Sequence, residues 1–483
     1  MADAAPKIAV DSEAMLAALQ RQRAAFIAEL PVVSAIRKDR LTRLGRLIVD
    51  NADALCDAMS EDFGHRSKDQ SMMTDVVSAL GEVKYARKHL DKWMKPDKRK
   101  ARFPLGLLGA RARIEYQPKG VIGIIAPWNF PVQLTFSPLA DILAAGNRAM
   151  IKMSEFTPVT SALVERLIGE AFAPEEIAVF NGGPEVGQAF SALPFDHLIF
   201  TGATSIGKHI LHAAAEHLTP VTLELGGKSP VVVGESADIK RTSERVAMGK
   251  MMNAGQICLA PDYMMVPEAG EGEIIRGLSA AVADQYPTLD ANDDYTSIIN
   301  DRHYERLQGY LTDAEEKGAE IVEINPGNED FSVSNKRKMP LTIIRNPTED
   351  MKVMQEEIFG PILPIKTYAS VDEAIDYVNA HDRPLGLYYF GSDSAEEHKV
   401  LSRTISGGAT VNDVIFHVAM DELPFGGVGP SGMGSYTGHE GFKTFSHAKS
   451  VYSQPKIDVA KLGGFKPPYG KTTKATIKRE LKM

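Results

Sequence analysis

"VIGIIAP", residues 121–127, is a short apolar run broken by one glycine and stopped by a proline. Three more runs of this kind come after it, "RAMIKM" (148–153), "IAVFNG" (177–182) and "HLIFTG" (197–202), each giving way to Gly, Pro or polar residues. Helix-length stretches such as "PVTSALVERLIGEAF" (158–172) lie between them. That alternation predicts an α/β fold, a parallel sheet covered by helices. "TPVTLELGGKSPVVVG" (219–234) adds a pair of strands around Gly226 and Gly227. A second series has helices near 238–253, 270–285, 301–317 and 371–380. Its strands are "YMMVP" (263–267), "LTIIR" (341–345) and "LYYFGS" (387–392). Upstream, residues 11–60 read as helices, because Leu41, Leu44, Ile48, Leu55 and Met59 recur near a 3.6-residue period.

The bulk numbers bound the function. A chain of 483 residues is too long for one core, so two or three structural units are expected. A net charge of −9 argues against nucleic acid as a principal partner. Two cysteines make no disulfide framework and point to a reducing compartment. "MADAAPKIAVDSEAM" shows no secretory pattern, and no apolar run reaches the roughly 18–20 residues needed to cross a bilayer. The expectation is a cytoplasmic protein with no membrane partner. The basic stretches "KPDKRKAR" (95–102) and "KTTKATIKREL" (471–481) read as solvated segments or subunit contacts.

Several short motifs carry chemistry. "NAGQICLAP" (253–261) sets Cys258 in a break between apolar segments, whereas Cys56 shares the apolar helix face with Ala52 and Met59 and reads as core. "PWNFP" (127–131) places Asn129 in a loop at a strand end, where its amide suits a developing oxyanion or simply holds a turn. "LELGGKSP" (223–230) puts Glu224 in apolar surroundings that raise a carboxyl pKa, as a general base near neutral pH requires. The plainer alternative is a salt-bridged strand glutamate. "FTGATSIGK" (200–208) comes after a strand and opens a helix, so Gly202 and Gly207 let phosphate reach free N–H groups. In "KMSE" (152–155), Lys152 and Glu155 suit ribose hydroxyls or form a surface ion pair. "EEIFGP" (356–361) and "LPFGGVGPSGMG" (423–434) add carboxylates, an aromatic and a glycine-dense loop.

Taken in order, the Pro-Trp-Asn-Phe-Pro loop, the Glu before Leu-Gly-Gly-Lys, the Gly-Gln ahead of Cys258, Glu-x-Phe-Gly-Pro and the terminal Pro-Phe-Gly-Gly resemble the aldehyde dehydrogenases, from about residue 30 to 455. Within that superfamily, "VNDVIFHVAMDELPFGGVGPSGMGSYTGHEGFKTFSHAKSV" (411–451) is similar to the class 3-like branch, with Tyr436 where many tetrameric relatives carry glutamate. "EDFGHRSKDQSMMTD" (61–75) resembles the bacterial members that act on coniferaldehyde.

The resemblance implies a Rossmann-type NAD-binding domain over 1–110 and 119–223, and a catalytic α/β domain over 224–420. Bridging strands for oligomerisation fall at 111–118 and 435–460, ahead of a tail at 461–483. It implies Cys258 as nucleophile, Asn129 as oxyanion donor and Glu224 as the base that discharges a thioester. Cofactor contacts map to Ile125, Trp128, Lys152, Glu155, Gly202, Ala203, Thr204, Gly207, Leu225, Glu357 and Phe359. NAD is the expected cofactor because Glu155 repels a 2′-phosphate, with NADP as the second choice; no metal is expected. The implied substrate is a small-molecule aldehyde, coniferaldehyde first and a medium- or long-chain aliphatic aldehyde second, and the implied assembly is a homodimer. Trp128, Phe130, Ile257, Leu259, Phe416 and Phe425 are candidates for an apolar entrance. Ala203 stands where the family usually has serine, which removes one hydroxyl contact to the pyrophosphate, with Thr204 and Ser205 close by. A CoA-acylating relative is disfavoured by the retained Glu224. A non-catalytic relative is disfavoured because thiol, amide and base are all present.

Overall fold

The structure is a computed structural model that describes residues 12–103 and 105–482. The N-terminal stretch 1–11, on which the no-leader expectation partly rests, lies outside the described residues. Three helices, Ser12–Glu29, Ser34–Asp50 and Ala52–Phe63, open the chain as the apolar periodicity predicts. Leu41, Leu44, Ile48, Leu55 and Met59 are all buried, and Cys56 is buried with them.

The α/β expectation is met by two large sheets. One runs in the order Gly432–Met433, Val221–Glu224, His197–Thr201, Val121–Ile125, Arg148–Lys152, Ile177–Val179. Gly432–Met433 is antiparallel to its neighbour, and the other five strands are parallel. From the Val121–Ile125 strand the chain first builds outward on one side, then returns to build on the other. The C-terminal ends on either side of that reversal frame a crevice, the usual ligand position in such sheets.

The second sheet has the order Glu320–Ile324, Leu341–Arg345, Ile362–Tyr368, Tyr263–Pro267, Pro230–Val233, Gly386–Phe390, Gly408–Val411. Its strands are parallel apart from Glu320–Ile324. A small antiparallel sheet joins Asp97–Arg99, Arg111–Pro118 and Ser446–Ser453.

Three features go beyond the sequence reading. The two strands flanking Gly226–Gly227 do not pair with each other: Val221–Glu224 belongs to the first sheet and Pro230–Val233 to the second. The glycines are the crossing between the two sheets. A π-helical turn, Met72–Val77, precedes the Ser78–Trp93 helix. The Lys-rich tail forms an exposed helix, Lys471–Glu480. Among the described residues, no helix is long and apolar enough to cross a membrane.

Candidate active site

The nucleophile turn is built on strained backbone. Asn253, Ala254 and Gly255 take φ of 51°, 51° and 71°, three left-handed residues in succession. Gly255 is required there, because a Cβ would lie 2.5 Å from the Gly360 carbonyl oxygen. Gln256 pins the far side of the turn. Its Nε2 donates to the carbonyls of Asn253 (2.9 Å) and Ser297 (3.1 Å), and its Oε1 accepts the Ile299 N–H at 3.0 Å. Cys258 emerges two residues later, partly exposed, while Cys56 is 1% exposed.

Asn129 closes on this turn from the first sheet. Its Nδ2 donates to the Gln256 carbonyl at 3.2 Å, and Asn253 Nδ2 donates to the Asn129 carbonyl at 3.3 Å. Glu224 ends the Val221–Glu224 strand, 2% exposed, with neither carboxyl oxygen hydrogen-bonded among the described residues. The plainer reading of Glu224 as a salt-bridged strand residue is therefore excluded. Burial alone pushes its carboxyl well above the usual range. The Cys258 thiol is pushed up to about 12, first by burial and then by the nearby carboxyls of Glu357 and Glu224, against which its own N–H and that of Leu259 pull down. The resting thiol is thus protonated, and its proton must leave inside the site. A carboxyl with raised proton affinity accepts it far better than an ordinary one. Thiol, amide and base converge although 129 residues separate Asn129 from Cys258.

The crevice beside this centre suits a dinucleotide. The Thr204–Ala215 helix begins after Ala203 with no side-chain cap, which leaves its first N–H groups open to phosphate. Thr204 does not replace the hydroxyl missing at Ala203, since its Oγ1 donates to the Pro430 carbonyl at 3.2 Å. A Cβ on Gly207 would lie 2.7 Å from Leu225, so the helix and the strand end meet closely there. Lys152 is buried at the end of its strand, and its Nζ holds Glu155 at 2.7 Å; Ile125 ends the neighbouring strand, also buried. Both readings of the Lys152–Glu155 motif survive, because an ion pair at a strand end still offers its outer face to ribose.

Glu357 points in from the second sheet with Oε1 buried and unbonded, and burial raises it to about 8. Its loop is held by Asp262, which accepts the Ile358 N–H at 2.9 Å and the Lys228 ammonium. Phe359 meets Trp128 edge-on at 5.3 Å between centroids. An uncapped helix start, a lysine–glutamate pair at a strand end and an unsatisfied buried carboxylate fit NAD or NADP.

The expected apolar entrance fares less well. Phe130, Ile257, Leu259 and Phe425 are buried in the core behind the thiol, and only Trp128 and Phe416 keep substantial exposure. Arg66, Asp75 and the hydroxyl of Tyr436 belong to no chemical motif. Tyr436 is buried within electrostatic reach of Glu224 and Cys258, and short stretches of sequence carry no signal of that proximity.

A two-sheet α/β fold whose crevice holds a thiol, an amide and a carboxyl unpaired among the described residues agrees with the class of aldehyde-oxidising dehydrogenases. Residues 7–451 match the aldehyde dehydrogenase family, and the chain belongs to it. It is 56% identical to a probable coniferyl aldehyde dehydrogenase of Caulobacter vibrioides, across 96% of each chain. It is 51% identical to the coniferyl aldehyde dehydrogenase of a Pseudomonas species, across 95% of each. The solved substrate-bound state of Staphylococcus aureus AldH superposes with a TM-score of 0.90 at 39% identity, covering 97% of this chain and 99% of that one. The chain is an NAD(P)-dependent, aldehyde-oxidising enzyme.

Proposed function

We propose that this enzyme oxidises an aromatic aldehyde, coniferaldehyde by the names of its relatives, to the carboxylic acid through Cys258. The observation that carries the assignment of roles is the convergence of Cys258, Asn129 and Glu224 at the sheet crevice. Glu224 accepts the thiol proton, and Cys258 Sγ bonds to the carbonyl carbon. The Asn129 amide and the Cys258 N–H hold the resulting oxyanion. When bound, the dinucleotide supplies the hydride acceptor. Lys152, Glu155, Glu357 and the open N–H groups after Ala203 hold and orient it, with Gly202, Gly207, Ile125, Trp128, Leu225 and Phe359 shaping the crevice. The product of oxidation on Sγ is a thioester. Once Glu224 has passed the thiol proton to solvent, it takes a proton from water, which attacks the acyl carbon; that proton returns to the departing sulfur, freeing the acid and the thiol. Sulfur suits this cycle because water discharges a thioester more readily than an oxygen ester.

The segments 1–110 and 119–223 are assigned to cofactor binding, 224–420 to catalysis, 111–118 and 435–460 to bridging, and 461–483 to a tail. Among the described residues the Ser446–Ser453 strand has one neighbour and an open, largely exposed outer edge, which supports a homodimer joined there. A reducing, cytoplasmic setting agrees with two free thiols.

Reduced-nicotinamide formation with coniferaldehyde, benzaldehyde, hexanal and succinic semialdehyde, each with NAD and NADP, tests the substrate class. Turnover is expected with the aryl substrates and little with succinic semialdehyde; a preference for hexanal would reassign the substrate to the aliphatic series. Cys258→Ser should abolish oxidation and Cys56→Ala should retain it. Equal damage from both would remove Cys258 from its role.

A further inference from the structure

The π-helical turn Met72–Val77 lies between the Lys68–Ser71 and Ser78–Trp93 helices. Such turns are rare and concentrate at functional sites. This one carries Asp75 into the interior, where it is completely buried. Its Oδ1 accepts the backbone N–H groups of Val132 and Gln133, both at 3.1 Å, and its Oδ2 accepts Arg66 Nη2 at 2.8 Å. Arg66 is 1% exposed, and its guanidinium lies 5.1 Å from the Phe130 ring centre and 5.0 Å from that of Phe63. Phe63 in turn meets Trp128 at 6.1 Å.

Asn129 is therefore gripped on both sides along the chain. Trp128 and Phe130 rest on the Phe63–Arg66 layer, and Val132 and Gln133 hang from Asp75. A carboxylate receiving three donors is the ionised form, because ionised carboxylates only accept. Burial pushes the Asp75 carboxyl up and the Arg66 guanidinium down, and their contact pulls each back.

We propose that Asp75 and Arg66 are positioning residues for the oxyanion donor: their buried ion pair sets the Asn129 amide at the distance from Cys258 that the reaction needs. The proposal rests on the role given to Asn129 above. A pair that merely braced the fold would lower stability without singling out the step that Asn129 serves.

The test uses the full-length enzyme, NAD and benzaldehyde, well below the lowest melting temperature of the set. Asp75→Asn, Asn129→Ala and their combination are compared, with folded fraction measured by circular dichroism. Asp75→Asn is expected to lower kcat/KM by about 10²-fold, the scale of one lost oxyanion donor. It should leave the KM for NAD within about twofold and enlarge the isotope effect with benzaldehyde deuterated at the aldehyde carbon. Once Asn129 is alanine, Asp75→Asn should cost no more than about threefold further, because coupled residues are non-additive. Arg66→Lys, which keeps a cation beside Asp75, should show a smaller loss with the same dependence on Asn129, and it answers the question if Asp75→Asn fails to fold. Equal losses in both backgrounds would overturn the proposal. If Asn129→Ala leaves turnover unchanged, the oxyanion assignment itself falls, and the positioning role with it.

Discussion

Asp75 and Asp141 are both completely buried, and each stands behind a wall of the same site. Asp75 meets two N–H groups and a guanidinium. Asp141 meets one N–H, that of Thr437 at 3.2 Å, and the carboxyl of Glu82, which itself accepts the Gly438 N–H at 2.9 Å. Thr437 and Gly438 directly succeed Tyr436, which lies within electrostatic reach of Glu224 and Cys258, so this acid pair holds the chain beside the site. Burial, with the Glu82 carboxyl alongside, drives Asp141 well above the ordinary range, and burial raises Glu82 to about 7. Glu224 completes the series with no donor among the described residues. The buried carboxyls are thus set to three different tasks: Asp75 fixes a loop through an ion pair, the Asp141–Glu82 pair fixes a loop through carboxyls of raised proton affinity, and Glu224 moves a proton.

Removing the proton carrier should have the largest effect on turnover. Glu224→Gln is expected to slow turnover by about 10²–10⁴-fold, read as a slowed burst of reduced nicotinamide as well as a slowed steady state, because Glu224 serves both the thiol and the hydrolytic water. Wild-type rate should climb with pH as Glu224 loses its proton, and the variant should lose that climb. An unaltered steady state would place the base elsewhere.

Removing the charged brace should have the largest effect on stability. Asp75→Ala strands Arg66 and should cost about 3–5 kcal/mol in urea denaturation. Asp141→Ala leaves no buried charge stranded and removes the acceptor of the Thr437 N–H, so it should cost only about 1–2 kcal/mol. Equal losses would erase the distinction between the two pairs.

The third expectation concerns pH. The folded acid pair holds a proton that the unfolded chain has already released above the ordinary carboxylate range. The contribution of Glu82 is therefore complete below about pH 4 and is lost as pH rises through about 7, and that of Asp141, raised further, is lost at higher pH. Melting temperature should fall across that window, and Asp141→Asn should flatten the fall. Smallest of all, Glu82→Gln keeps an acceptor for Gly438 and a partner for Asp141, so it should shift stability by less than about 1 kcal/mol at neutral pH. A large loss would mean that Glu82 is charged there.

How much of the molecule was legible in its sequence depends on the range of the forces. "YMMVP" and "LTIIR" match observed strands residue for residue, because a short apolar run between turn residues has few other ways to bury itself. Asn129, Glu224 and Cys258 each sit in a short motif whose local backbone makes the site, so contiguous residues announce them. Arg66 and Asp75 stand inside a quoted stretch without standing out, since their meaning lies in N–H groups 57 and 58 residues away. The sequence places a strand on either side of Gly226 without saying which sheet each joins. Only the assembled sheets show them parting. The Lys471–Glu480 helix is Lys- and Thr-rich with no buried residue, and it offers no periodic apolar face to detect.

That parting at Gly226 makes the molecule a joint as well as a container. Residues 225–229 are the seam along which one slab, carrying the carboxyl, abuts the other, carrying the sulfur. A side chain at Gly226 would lie 1.8 Å from Glu357, so the seam cannot be thickened. Lengthening it by one residue would draw the carboxyl away from the sulfur, and with it both the loading of the acyl group and its release.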